Sequence, residues 1–149
     1  LEHSLGVARI ALKIAELHPE ADRDLLLMGA LLHDLGKVKE LQPGLEICYS
    51  DEGKLLGHIV LGIGMLNELM EKAGIEKVVR NQLTHMIASH HGRYEWHSPR
   101  KPMFLEAQIL HLADMMDADI WKFKRARPSA QGSRWSPYMK NIGSEVFLG

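Results

Sequence analysis

The sequence predicts an all-α domain, a bundle of about five core helices with a metal centre between them, and three observations carry that prediction. Apolar residues recur at steps of three and four in five separate segments, the period of a helix with one buried face. Only Ile47–Tyr49 reads as extended, too little to build a sheet. The histidines His3, His33, His58 and His90 continue the apolar stripes of four different segments, and Asp114 does the same on a fifth.

The 149 residues are 46% hydrophobic and 25% charged, ordinary values for one globular domain with a real core. No apolar run approaches the roughly 18 residues of a membrane span and no signal peptide is visible, so no membrane partner is expected. One cysteine, Cys48, excludes an internal disulfide and fits a reducing cytoplasm, the expected location. The chain opens at Leu1 straight into helical periodicity and is expected to be a piece of something longer, with an upstream domain missing. Charge is uneven, with 18 acidic and 12 basic side chains up to Ile120, then 1 acidic and 6 basic. A basic end on an acidic body favours a phosphate-bearing partner; a solvated helix end explains Lys122, Lys124, Arg125 and Arg127 equally well.

The first helix is expected from Glu2 to about Leu17, with Val7, Ile10, Ile14 and Leu17 on one face and His3 at its head. Pro19 and the acidic stretch Glu20–Asp24 break it, and Asp22 or Asp24 caps the next. That second helix is nearly all apolar from Leu25 to Leu35, as a central buried helix should be, and Gly36 ends it. Residues 37–53 read as a loop that turns at Pro43-Gly44. The third helix, about Lys54 to Lys72, would bury His58, Leu61, Met65 and Leu69. Its Gly62 and Gly64 each cost about 1 kcal/mol against alanine and point to close helix packing. The fourth, about Ile75 to His90, carries Val79, Leu83, Met86 and His90 on one stripe before His91 and Gly92 end it. A loop from Arg93 to Lys101 contains Tyr94, Trp96 and Ser98-Pro99. The fifth helix, about Met103 to Lys124, aligns Leu110, Asp114, Asp117 and Trp121. The domain is therefore drawn at residues 1–127 and a tail at 128–149, in which only Glu145–Leu148 is expected to be ordered.

Several ionisable groups aimed into one core from separate helices are costly without a shared cation. Helix bundles build metal centres from facing helices in this way. Of the nine histidines, His85 falls on a polar face and His18 and His97 fall in loops, so all three are expected at the surface. His111, one turn before Asp114, is ambiguous, and His91 lies 100° from His90, which geometry alone leaves open. The candidate metal ligands are His3, His33, Asp34, His58, His90, His91 and Asp114. Without cysteine among them, one or two hard or borderline divalent ions are expected: Mn, Fe, Mg, Co, Ni or Zn, with Mn or Fe favoured. Seven candidates exceed the need of one tetrahedral ion. Two ions sharing Asp34 would suit in-line attack of a metal-activated hydroxide on phosphorus. Lys37, one turn after Asp34, is either a second catalytic group that steadies a phosphate oxygen or a helix-end lysine that bonds carbonyls.

Over about residues 1–125 these positions resemble the HD superfamily of metal-dependent phosphohydrolases. That signature is a histidine, a His-Asp pair and a distant aspartate; His3, His33-Asp34 and Asp114 stand at the matching places. His58, His90 and His91 match the extra histidines of the two-metal subset. More narrowly, Leu32–Leu41, Glu52–Ile59 and the loop His90-His91-Gly92 with Glu95-Trp96 and Ser98-Pro99 look like the HD domain of the YhaM-type 3′→5′ exoribonucleases. There it follows an OB-type nucleic-acid-binding domain. The resemblance implies an HD-domain helical bundle and phosphodiester hydrolysis from a 3′ end, with a nucleotide or single-stranded nucleic acid as substrate. In such an enzyme Arg93, Tyr94 and Trp96, beside Arg100 and Lys101, would stack a base and hold a backbone, or the aromatics would pack the loop onto the bundle. The alternative is a phosphohydrolase of a small nucleotide, such as an alarmone, a dNTP or a cyclic dinucleotide. A non-catalytic binding or regulatory module and a di-iron oxygenase are the other uses of such a scaffold.

Overall fold

Five long helices carry the described part of the chain, residues 1–42, 44, 47–127 and 132–149 of the computed structural model. They are α1 (Glu2–Leu17), α2 (Arg23–Leu32), α4 (Asp51–Lys72), α5 (Lys77–Ser89) and α6 (Leu105–Ala126). Between α2 and α4 lie the single turn α3 (Lys37–Glu40) and an antiparallel hairpin of β1 (Leu41–Gln42) and β2 (Cys48–Tyr49), where a loop was expected. Leu41 pairs with Tyr49. The expected turn residue Pro43 lies outside the described residues. None of the described helices is long and apolar enough to cross a membrane.

The apolar run of α2 places it at the centre, packed on α1, α5 and α6. Its Leu26 and Ala30 share one core with Val7, Met86, Ile87 and Leu110, and almost no solvent reaches any of the six. Asp22 is the cap: its carboxylate accepts the N–H groups of Asp24 and Leu25, each at 3.0 Å. Its own N–H donates to Glu106 Oε1 at 2.7 Å, tying the start of α2 to the start of α6.

α2 stops at Leu32, three residues earlier than expected, with His33 as its C-cap. Gly36 does not end it by a left-handed turn, since its φ of −62° is open to any residue. The glycine answers instead to packing. A Cβ there would overlap the carbonyl oxygen of His58 and the N–H of Gly62, so α4 crosses directly over this backbone. Gly62 is thus the close-packing glycine, whereas a side chain at Gly64 would meet open space. Gly36→Ala should therefore destabilise the fold by about 3 kcal/mol in urea denaturation, the upper end of ordinary overpacking. An unchanged midpoint would contradict this contact.

α4 begins at Asp51 because Ser50 Oγ accepts the Gly53 N–H at 2.8 Å. It is broken at Gly57, whose φ of 70° and ψ of 160° are glycine territory. Beyond the break the buried face is a little offset from the expected stripe. Leu66 and Met70 are buried in place of Met65 and Leu69, and Leu69 is left more than half exposed. α5 ends at Ser89 with His90 as its C-cap, and Tyr94–Trp96 form a 3-10 turn closed by His97 at a φ of 60°.

Pro128, where the helical pattern fades, lies outside the described residues. Farther on, Ser136 N–H donates to the Val146 carbonyl at 2.9 Å and Leu148 N–H to the Arg134 carbonyl at 2.8 Å. The expected order at Glu145–Leu148 is therefore that of one arm pairing with Arg134–Ser136, and it buries Val146.

Candidate metal centre

Each inward histidine is brought in by the end or the break of a helix, and two of them, His33 and His90, are oriented by the backbone of the preceding turn. His33 Nδ1–H donates to the Ala30 carbonyl at 2.8 Å and His90 Nδ1–H to the Ile87 carbonyl at 2.7 Å, both one turn back along the chain. A carbonyl only accepts, so each ring's Nε2 is left with its lone pair facing the centre. Four buried side-chain polar atoms lack a hydrogen-bond partner among the described residues, and three of them are the Nε2 atoms of His33, His58 and His90. Native proteins leave few such atoms unpaired, and unpaired ones gathered at one point mark a missing electrophile. Imidazole nitrogens and carboxylate oxygens suit a divalent cation.

These atoms form two clusters on either side of Asp34. His3, His33 and Asp34 offer ligand atoms within 4.8 Å of one another, and so do His58, His90 and His91. Asp34 Oδ2 stands 3.4 Å from His33 Nε2 and 3.9 Å from His3 Nε2. Its Oδ1 stands 3.6 Å from His58 Nε2 and 3.9 Å from His90 Nε2. Asp114 joins the first cluster, with Oδ1 at 3.0 Å from His3 Nε2 and 3.8 Å from His33 Nε2. All seven candidate ligands therefore meet, and the two oxygens of one carboxylate divide them between two positions.

The charges in the centre are strongly coupled. Burial works against the Asp34 carboxylate, but the positive charge beside it, with the Lys37 ammonium in direct contact, overcomes that and holds it far below the usual range. Asp114 is likewise lowered: burial works against its carboxylate, but the hydrogen bond to His3 and the histidines around it together outweigh that. His90 is pushed down to about 3 by burial, with His33 and His91 adding, and burial also lowers His91. His3 moves the other way, to about 9, through its hydrogen bond to Asp114, with Asp117 adding and burial opposing. A cation must displace that proton. Affinity for a divalent ion should therefore rise with pH up to about 9, and binding at neutral pH should release about one proton. In chelated protein the same shift stabilises the fold fully below the ordinary value of 6.5, and that stabilisation is lost as pH rises through about 9. Titration calorimetry in buffers of different ionisation enthalpy reads the proton directly, and its absence would contradict the His3 placement.

Two supporting carboxylates, Asp117 and Glu40, are not among the residues that the sequence singles out for the site, and the backbone of Trp96 adds a third support. Asp117 Oδ2 accepts from His3 Nδ1 at 2.7 Å, one turn beyond Asp114. Glu40 Oε1 accepts the His58 backbone N–H at 3.0 Å and faces His58 Nδ1 at 3.3 Å, from the turn that was expected to be loop. The Trp96 carbonyl accepts from His91 Nδ1 at 2.7 Å. The ambiguous His111 is buried and donates from Nδ1 to the His90 carbonyl at 2.8 Å, bracing the residue that carries a ligand atom. His85 is half-buried rather than a plain surface group: its Nε2 accepts the Met103 N–H at 3.1 Å and its ring packs on Phe104.

Of the expected substrate contacts, Lys37 Nζ lies 2.6 Å from Asp34 Oδ2 and remains partly exposed at the edge of the centre. Trp96 lines a cavity that His90, His91 and Asp114 also line. Arg93 lies over the Trp96 ring at 4.7 Å, and Lys101 over the Tyr94 ring at 5.3 Å. Arg93 and Tyr94 do not line that cavity.

A family model described as HD domain matches residues 1–119. The 3′-5′ exoribonuclease YhaM of Halalkalibacterium halodurans is 39% identical over 145 residues, which cover 97% of this chain and 45% of that protein. The proteins of the same name from Bacillus subtilis and Shouchella clausii are 45% and 40% identical, over 83% and 97% of this chain and 40% and 46% of their own lengths. The chain thus spans less than half the length of these relatives. No solved structure matches it significantly.

Proposed function

Because the chain belongs to the HD domain family, we propose that it is a metal-dependent phosphohydrolase, a nuclease-like phosphodiesterase that shortens single-stranded RNA from the 3′ end. The observation that carries this reading is the trio of orphaned, buried Nε2 atoms gathered around Asp34. Among the described residues no cysteine or serine stands in the centre as a nucleophile, and hydrolysis there needs none. A divalent cation, manganese or iron for this set of imidazoles and carboxylates, supplies Lewis acidity that activates water and offsets charge on phosphoryl oxygens.

The chain's own residues do the rest. His33, His58 and His90 each present a preset lone pair. His3 and His91 complete the two clusters, and Asp114 adds negative charge to the first. Asp34 gives one oxygen to each side. Lys37, free to swing because its ammonium is partly exposed, leaves Asp34 for a phosphate oxygen and orients the scissile group. Trp96 gives the substrate a flat wall beside the centre. The relatives named as 3′-5′ exoribonucleases support RNA as the polymer and the 3′ end as the start. The proposed location is the cytoplasm, where a free Cys48 stays reduced.

The test is a hydrolysis screen of manganese-loaded protein on short RNA, short DNA and free nucleotides. Nucleoside monophosphates released stepwise from the 3′ end of RNA are expected. Turnover of free nucleotides alone would move the assignment to a small-nucleotide hydrolase, and no turnover at full metal occupancy would overturn the hydrolase reading.

A further inference from the structure

We infer that the cavity beside the metal centre is a nucleobase subsite, in which Trp96 stacks the base and the Asp119–Lys122 pair reads its edge. The inference rests on the phosphodiesterase reading and adds to it where the base of a nucleotide lies. The cavity has a volume of about 410 Å³, within the range of small-ligand pockets and ample for one base. At one end it reaches the residues of the centre, His90, His91 and Asp114. The 42%-exposed ring of Trp96 and the side chain of Met115 wall it, both apolar and one flat. Asp119 and Lys122 border it farther along α6.

Helix geometry sets the scale. Asp114, Ala118 and Lys122 follow one another at single-turn spacing, so Lys122 stands about 12 Å along α6 from Asp114. That is the order of the span from a phosphate to the far edge of its base. Ala118, the middle residue, keeps the space open because its side chain is a single methyl group. The Lys122 ammonium donates to Asp119 Oδ1 at 2.6 Å, a pairing within one partly exposed helix turn that costs little to rearrange. A carboxylate acceptor next to an ammonium donor matches a base edge, which sets N–H donors beside oxygen or nitrogen acceptors. It does not match an inorganic anion, which Asp119 would repel, or a purely apolar ligand, which would leave both charges unused.

The binding experiment compares each of the four nucleoside 5′-monophosphates with ribose 5-phosphate by titration calorimetry on manganese-loaded protein. Stacking on an aromatic ring should make the monophosphates bind about tenfold or more tightly than the sugar phosphate. Ala118→Phe, which fills the cavity from a partly exposed position, should remove most of that preference, and so should Trp96→Ala. Lys122→Met should narrow the spread among the four bases. Equal binding of monophosphates and ribose 5-phosphate by the wild-type protein would overturn the subsite, as would a preference that survives both Ala118→Phe and Trp96→Ala in folded protein. These are equilibrium readings, so a failed hydrolysis screen counts against the phosphodiesterase reading and a failed base preference against the subsite alone.

Discussion

Asp34→Ala should abolish hydrolysis and cost the protein both cations at once. One oxygen of this carboxylate faces His33 at 3.4 Å and the other faces His58 at 3.6 Å, so no neighbouring residue can replace it in both directions. Losing a partner that merely orients a ligand costs roughly 10–100-fold in metal affinity or activity. Loss of a carboxylate common to two positions should exceed about 100-fold, and added manganese should not restore it. Asp34→Asn keeps the shape but halves the oxygens and removes the charge, and should fall almost as far. Activity is read on short RNA and metal content by elemental analysis. A folded variant that kept both would remove Asp34 from the centre of the account.

Stripping divalent cations should lower the melting temperature of the wild-type protein by about 10 °C. A ligand at a thousand times its dissociation constant stabilises the native state by about 4 kcal/mol, and each 1 kcal/mol moves the midpoint by about 2–4 °C in a domain of this size. The source is visible in the structure. Three imidazole nitrogens are desolvated without a partner among the described residues, and Asp34 and Asp114 are held as carboxylates beside them. Readdition of manganese should restore the midpoint, and Asp34→Ala should be nearly blind to both treatments. A wild-type midpoint indifferent to chelator and to manganese would show that the cluster is satisfied without a cation.

The inward register of His3, His33, His58, His90 and Asp114 was legible in the sequence because each takes a place that periodicity reserves for an apolar side chain, and a charged group there needs a reason. For His91 the helical period alone decides nothing, because α5 ends at Ser89 and what fixes the ring is the Trp96 carbonyl in the following turn. Glu40 was hidden by the loop assignment of residues 37–53, since a one-turn helix leaves no periodicity to read. Asp117 lay on the line of Asp114, but its role depends on α1 bringing His3 alongside, a tertiary fact. In α4 the stripe through His58 and Leu61 holds, but the buried positions farther on are Leu66 and Met70, one residue past Met65 and Leu69, because apolar side chains stand at both registers and only the neighbouring helices select between them. Gly36 shows the same limit. Its place after an apolar run suggested a helix stop, and only the crossing of α4 reveals that it makes room for the His58 backbone.

Metal stoichiometry tests the central claim most directly. Protein freed of metal and titrated with manganese should take up two ions per chain, and their electron paramagnetic resonance signal should show exchange coupling through a shared bridge. One ion per chain, or two that are magnetically independent, would contradict a centre divided by the two oxygens of Asp34.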